Sequence, residues 1–315
     1  DVKKELFKPN KINKDSKLAF EGIDCNDLDA LFSFDRLSPK FTVEGTVDQD
    51  ALGRINDIVK AKAEEDDPSY SYIYAKDLYY GIIIEQDKSE AAKYFKKAAE
   101  LNHYSAMTDY VELMFLGNLP EKKEGTAIKY AKKAADHDHT GAQYLYGAMC
   151  VKQKKYEDAQ KYFAKASDKG HVMASTALAY MNMKGQTKKA DEASTSELLE
   201  KASKQKYVPA MILLSKFNRK NNKNKESLRL LQEAVEFNSP KGCYCLAKEF
   251  VINDGNLEEA AKIAQKGVDL NDTKSKRLLG ILKRRGTGTD KDEKAAFNLL
   301  TEASNEGDAQ AKYHL

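Results

Sequence analysis

The sequence predicts an all-α protein, a right-handed α-α superhelix (solenoid) of about seven helix-pair repeats, and three observations carry that expectation. Small residues recur at Ala98, Ala134, Ala166, Ala202, Ala234, Gly267 and Ala303, in steps of 36, 32, 36, 32, 33 and 36 residues. A second small series, Ala106, Ala142, Ala174, Ala210, Gly242, Ser275 and Ala311, always follows the first by 8 residues. Glycine and asparagine fill most positions where the helices should end. Such self-similarity marks stacked supersecondary units, each burying its apolar face against its neighbours.

Residues 1–47 form an N-terminal extension, partly irregular, with a Lys- and Asn-rich start, a short amphipathic stretch at Asn26–Leu37 and Pro39. Residues 48–65 read as one helix with Leu52, Ile55, Ile58 and Val59 on an apolar face. It does not align with the repeat columns, so 48–68 is expected to be a capping helix that ends at Asp66-Asp67-Pro68.

From 69 to 315 each unit holds a helix A and a helix B. Helix B carries a small residue (Ala91, Ala127, Ala159), a bulky one three later (Tyr94, Tyr130, Tyr162, then Leu198 and Leu230), and the Ala98 column at +7. That spacing defines one face of a helix. Helix A starts from the second small column and places Tyr110, Tyr146, Leu178, Leu214, Leu246 and Leu279 four residues on. The B-to-A spacing never varies, whereas the A-to-B spacing ranges from 12 to 16 residues. Helix A should stop at Gly81, Gly117, Gln153, Gly185, Asn221, Asn253 and Gly286, and helix B at Asn102, Asp138, Gly170, Lys206, Asn238, Asn271 and Gly307. Gly and Asn are the residues that best tolerate the left-handed conformation ending a helix. Ala309–Leu315 opens another helix A without a partner.

Composition narrows the function. Apolar residues make up 41% and charged residues 32%, with a net charge of only +3, so global charge does not point to nucleic acid or a membrane surface. No apolar run reaches the length of a membrane helix. A cytoplasmic location is expected; a chain that starts at Asp1 leaves room for a cleaved mitochondrial or secretory leader. Cys25, Cys150, Cys243 and Cys245 are too few and too irregular for a disulfide framework and read as free thiols. His103, His139 and His171 share one turn column, where other units have Tyr207, Ser239, Asp272 and Asp308, so they read as structural. Gly286-Thr287-Gly288-Thr289 lacks the lysine of a phosphate loop, and Glu258-Glu259 has no nucleophile or histidine beside it. No enzyme activity, cofactor or metal is expected.

The last full unit, with Leu279-Gly280, Gly286-Thr287-Gly288, Asp290, Lys294-Ala295 and Ala303, resembles the Sel-one-like repeat (SLR) family, a relative of the tetratricopeptide repeat. The first unit is similar through Gly81, Asp87, Glu90-Ala91, Tyr94-Phe95 and Lys97-Ala98-Ala99, while the 32- and 33-residue units look closer to tetratricopeptide repeats. The resemblance covers roughly 69 to 315. It implies a non-enzymatic scaffold or adaptor in complex assembly, signalling or quality control, with partners bound along the first helices of the repeats.

Helix A buries positions 0, +4, +8 and +11, which leaves +2, +6 and +9 as the opposite ridge. There the sequence puts Tyr72, Tyr144, Tyr244 and Tyr313 at +2, Tyr180 at +6, and Tyr79, Phe115 and Met183 at +9. Aromatics and Met on an exposed ridge suit a protein or peptide partner, and half-burial against the next helix A fits them equally. Toward the C-terminus the ridge turns basic, with Lys216, Arg219, Lys248, Arg277 and Arg284. A solvated face, a groove for an acidic peptide, or an RNA-binding solenoid would each produce that pattern. Oligomeric state and partner identity are not encoded in these features.

Overall fold

The computed structural model describes residues 49–81, 83–115, 124–188 and 191–315. Every regular element among them is helical: sixteen α-helices and one π-helical turn. The chain divides into two compact units, Asp1–Gln153 and Lys154–Leu315. In the first lie α1 (Gln49–Glu64), α2 (Pro68–Tyr80), α3 (Lys88–Glu100), α4 (Tyr104–Phe115), α5 (Glu124–Asp136) and α6 (Thr140–Lys152). The second holds α7 (Tyr156–Asp168), α8 (Val172–Met183), α9 (Glu192–Lys204), α10 (Val208–Lys220), α11 (Asn224–Glu236), α12 (Pro240–Glu249), α13 (Leu257–Asp269), α14 (Thr273–Arg285), α15 (Glu293–Asn305) and α16 (Ala309–Tyr313). The π-turn Phe250–Asp254 extends α12. The even-numbered helices from α2 are the A helices and the odd-numbered ones from α3 the B helices.

A local hydrogen-bond circuit explains the invariant spacing of 8. Each B helix ends in a left-handed residue, at φ 70° for Asn102, 68° for Asp138, 83° for Gly170, 60° for Lys206 and 59° for Asn271. The next residue returns its N–H to the carbonyl of the small column five back: His103 to Ala98 at 3.0 Å, His139 to Ala134 at 3.1 Å, Asp308 to Ala303 at 3.0 Å. This is the Schellman closure. Except at Tyr207, which makes no side-chain cap bond, the same residue then N-caps the following A helix. Ser239 Oγ accepts from Gly242 N at 3.0 Å, and Asp272 Oδ2 from Ser275 N at 2.7 Å. Helix end, left-handed residue and cap are thus one unit, and inserting a residue would break both bonds.

α1 enters α2 through this same turn. Asp66 has φ 62°, and the Asp67 side chain accepts from Ser69 N and Tyr70 N. Although the repeat columns do not run through it, α1 occupies the place of a B helix. Val59 and Ala63 are buried, and Lys97 Nζ of α3 reaches the Ala63 carbonyl at 2.7 Å. The side chains of Leu52 and Ile55 lie outside the described residues.

The turns after the A helices depart from expectation in the short units. Gly81, Gly185 and Gly286 are left-handed as expected. Gln153 and Asn221, however, keep φ near −84° and −97°, and the left-handed residue is the next one, Lys154 or Asn222. With four fewer residues to B, the chain turns one position later and enters B from Lys155 or Lys223 without a side-chain cap. The long loops use Asp87, Asp191 and Asp292 as caps. After α12 the π-turn postpones the stop to Gly255 at φ 66°. Gly117 lies outside the described residues.

The columns meet in the core. Ala91 and Ala98 of α3 and Ala75 of α2 are fully excluded from solvent, with Phe95, Ile73 and Leu78 filling the space around them. In the second unit the crossing of α10 and α11 is polar but satisfied, with Ser215 and Ser227 bonded at 2.9 Å. Small residues at these crossings let two helix axes approach closely while leucines fill the flanks. Gly288 shows how tight the packing becomes: a Cβ there would stand 2.0 Å from the Leu257 carbonyl oxygen.

Successive A helices also touch each other, α4 with α6 in the first unit and α8, α10, α12 and α14 in turn in the second, while among the described residues no two B helices approach as closely. Within each unit the A helices therefore line the inner side of the stack.

Candidate interaction surface

The expected ridge differs between the two units. In the first it is stitched down. Tyr72 is half-buried; its hydroxyl donates to Asp109 Oδ2 at 3.0 Å, and its ring stacks on His103 at 4.4 Å. Lys76, buried on the same helix, lies 3.3 Å from Asp109 and 5.5 Å from the ring centres of both Tyr72 and Tyr80. Tyr79 packs edge-on to Tyr80 and Phe95, with Lys88 Nζ 5.8 Å from its ring. Tyr144 is half-buried. The Phe115 side chain lies outside the described residues. Tyr72 and Lys76 thus join α2 to α4 through one carboxylate, Asp109, which compensates for burying the ammonium.

In the second unit the ridge is more open. Tyr180 is 47% exposed, with Lys184 Nζ 5.6 Å from its ring centre. Met183 packs half-buried against the cluster of Leu199 and Leu214. Tyr244 is half-buried beneath Lys274 Nζ at 5.8 Å. Two of the five expected cations form ion pairs within the chain: Arg219 pairs with Glu249 of the next A helix, and Arg277 Nε bonds Asp308 Oδ2 at 2.9 Å. Arg284 is exposed, and one of its N–H groups reaches the His314 carbonyl at 2.5 Å. Lys216 and Lys248 are exposed and have no ion-pair partner among the described residues.

The turn histidines have a defined task that sequence reasoning placed only as structural. Nδ1 of His103, His139 and His171 accepts from Ala106 N (3.1 Å), Ala142 N (3.4 Å) and Ala174 N (3.2 Å), capping α4, α6 and α8. Their column is shared with Ser239, Asp272 and Asp308, good cap residues, and that was the available signal. Accepting through Nδ1 requires an unprotonated nitrogen there, and burial holds His171 below the ordinary histidine pKa. Burial likewise pushes the Cys243 and Cys245 thiols up, away from the reactive thiolate form. No group of three or more His, Cys, Asp or Glu side chains among the described residues is placed to hold a metal ion, and none of the helices there is long and apolar enough to cross a membrane.

With this geometry in view, the comparisons with known proteins are consistent. A family model described as Sel1 repeat matches residues 71–103, 114–139, 141–171, 172–207 and 274–308, just over half of the chain. The unmatched stretch 208–273 holds two of the three pairs with shortened A-to-B loops. Among solved structures, a protective antigen present in uropathogenic Escherichia coli strains, displaying an SLR fold, aligns over 84% of this chain and 59% of its own at TM-score 0.64 and 19% identity. A Sel1 repeat protein from Oxalobacter formigenes aligns over 90% of this chain and 84% of its own, at TM-score 0.61 and 20% identity. Yeast Tom70 aligns over 84% of this chain and 57% of its own, at TM-score 0.53 and 17% identity. The chain thus spans less than two thirds of the E. coli and yeast structures, and the likeness is one of fold. No curated protein matches the sequence.

Proposed function

The chain belongs to the Sel1 repeat family, and from that premise we propose that it is a non-enzymatic scaffold or adaptor that holds a protein or peptide against its A helices, in complex assembly, signalling or quality control. One observation carries this reading: on the inner side of the second unit, an exposed aromatic and exposed cations stand on consecutive A helices, Tyr180 on α8, Lys216 on α10 and Lys248 on α12. Rings and long cationic side chains on a rigid inner face suit recognition, because they offer large contact area and long-range attraction at fixed spacing. The side chains most capable of chemistry have structural uses elsewhere. The turn histidines accept cap bonds, and the Cys243 and Cys245 thiols are held protonated.

The test is affinity purification of the full chain from its native source, with identification of what is bound, beside a variant carrying Tyr144→Ala, Tyr180→Ala and Tyr244→Ala that is checked for native helicity. Loss of at least one specific protein partner is expected. Retention of every partner by the variant refutes the assignment to this face.

A further inference from the structure

Charge is sorted between the two layers of the second unit. Its five A helices carry twelve lysines and arginines against one acid, Glu249, whereas its five B helices carry fourteen acids against nine bases. The lone acid is already taken by Arg219. The layer of A helices is therefore cationic on a chain whose net charge is only +3. The chain also shows what these cations accept. Arg277 holds the Asp308 carboxylate at 2.9 Å, Lys276 the Glu306 carboxylate at 2.5 Å, and Arg284 the His314 carbonyl at 2.5 Å. In each case a group on α14 receives an acidic side chain or backbone oxygen from the segment that follows α15. Lys216 and Lys248 occupy the same +6 position on neighbouring A helices and face no such group among the described residues.

Accepting the A-helix face as a binding face, we propose that the strip from Tyr180 through Lys216 to Lys248 binds an extended acidic protein segment. Packed helices lie about 10 Å apart and an extended chain advances about 3.3 Å per residue, so one A helix is crossed in about three residues. The fitting segment places two carboxylates about three residues apart, for Lys216 and Lys248, and an apolar side chain about three residues further, against Tyr180 and Met183. Single-stranded nucleic acid is disfavoured because it needs several open rings alongside the cations. On this strip Tyr180 stands at one end, and the Tyr244 ring is half-buried beneath Lys274 Nζ.

The experiment is fluorescence anisotropy with the full chain and a labelled peptide carrying one leucine and two aspartates at this spacing, beside its Asn-for-Asp counterpart and an oligouridine of equal charge. The aspartate peptide is expected to bind, more weakly as salt rises, and the Asn peptide to lose most of that affinity. The double variant Lys216→Glu, Lys248→Glu should bind the aspartate peptide about tenfold or more weakly, whereas Lys225→Glu, an exposed lysine on α11, should not. Equal binding of the aspartate and Asn peptides, unchanged affinity in the double variant, or no binding at all overturns the proposal. Tighter binding of oligouridine that is lost in the double variant overturns it in favour of a nucleic-acid strip. Native partners that survive the double variant but not the tyrosine variant would leave the scaffold reading intact and remove the acidic segment alone.

Discussion

Replacing Gly288 by alanine tests the packing of the long-loop repeat directly. Gly288 has φ 69°, and a Cβ on it would lie 2.0 Å from the Leu257 oxygen and 2.2 Å from the Leu257 carbonyl carbon. Ordinary contact begins at 3.4 Å, so the loop or the first turn of α13 must move by more than an ångström. Gly185 is the control, with φ 67° and nothing within 4 Å of its would-be Cβ. Gly185→Ala therefore meets only the left-handed backbone, at about 1 kcal/mol. Gly288→Ala meets the same cost plus a backbone clash in a packed region, in total about 2–4 kcal/mol. Urea unfolding followed by far-UV circular dichroism reads the two losses. Amide exchange should show opening at the start of α13, where Asn256 caps Glu259 N at 3.2 Å. Equal losses for the two variants, or unchanged exchange in α13, would mean that the loop does not lie against Leu257 as described.

Two further outcomes follow from the turns. Lys206 is left-handed at φ 60° without being Gly or Asn, so Lys206→Gly should stabilise the chain by about 0.5–1 kcal/mol in the same urea assay; a loss of stability would show that the lysine side chain is held in place. His171 is kept neutral by burial, so its folded-state pKa lies below 6.5 and the unfolded chain takes up a proton first as pH falls. Its contribution is intact above about pH 6.5 and declines as pH drops toward the folded pKa, by at most about 1.4 kcal/mol per pH unit. Asn at this position retains a cap and removes the titration. The stability of wild type relative to His171→Asn should therefore fall between pH 7 and pH 5, and a constant difference would refute the neutral cap.

Much of the fold was legible in the sequence because its determinants are local. The columns at Ala98 and Ala106 recorded a helix end, a left-handed residue and a cap separated by hydrogen bonds of fixed reach. The turn after α6 and α10 was misplaced by one residue, because Gln153 and Asn221 continue a turn that the shortened loop closes later. The interaction face was legible only as a list of candidates. Arg219 and Arg277 were on it, and so were Lys216 and Lys248, yet the first two meet carboxylates of the following repeat and the second two do not. Asp308 could have been anticipated: it stands in the cap column 31 residues after Arg277, a separation at which one repeat faces the next.

By itself, then, the sequence determined the helix pairing, the rigid joint and the ridge on which any recognition must occur, since helical period, turn chemistry and capping act within about ten residues. Tertiary structure alone decided which ridge side chains are occupied. Tyr72 is fastened to Asp109, Arg219 to Glu249 and Arg277 to Asp308, across gaps of 37, 30 and 31 residues that only stacking closes. It also gathered scattered lysines into one layer, because the A helices of the second unit pack on one another while most acids lie on the B helices.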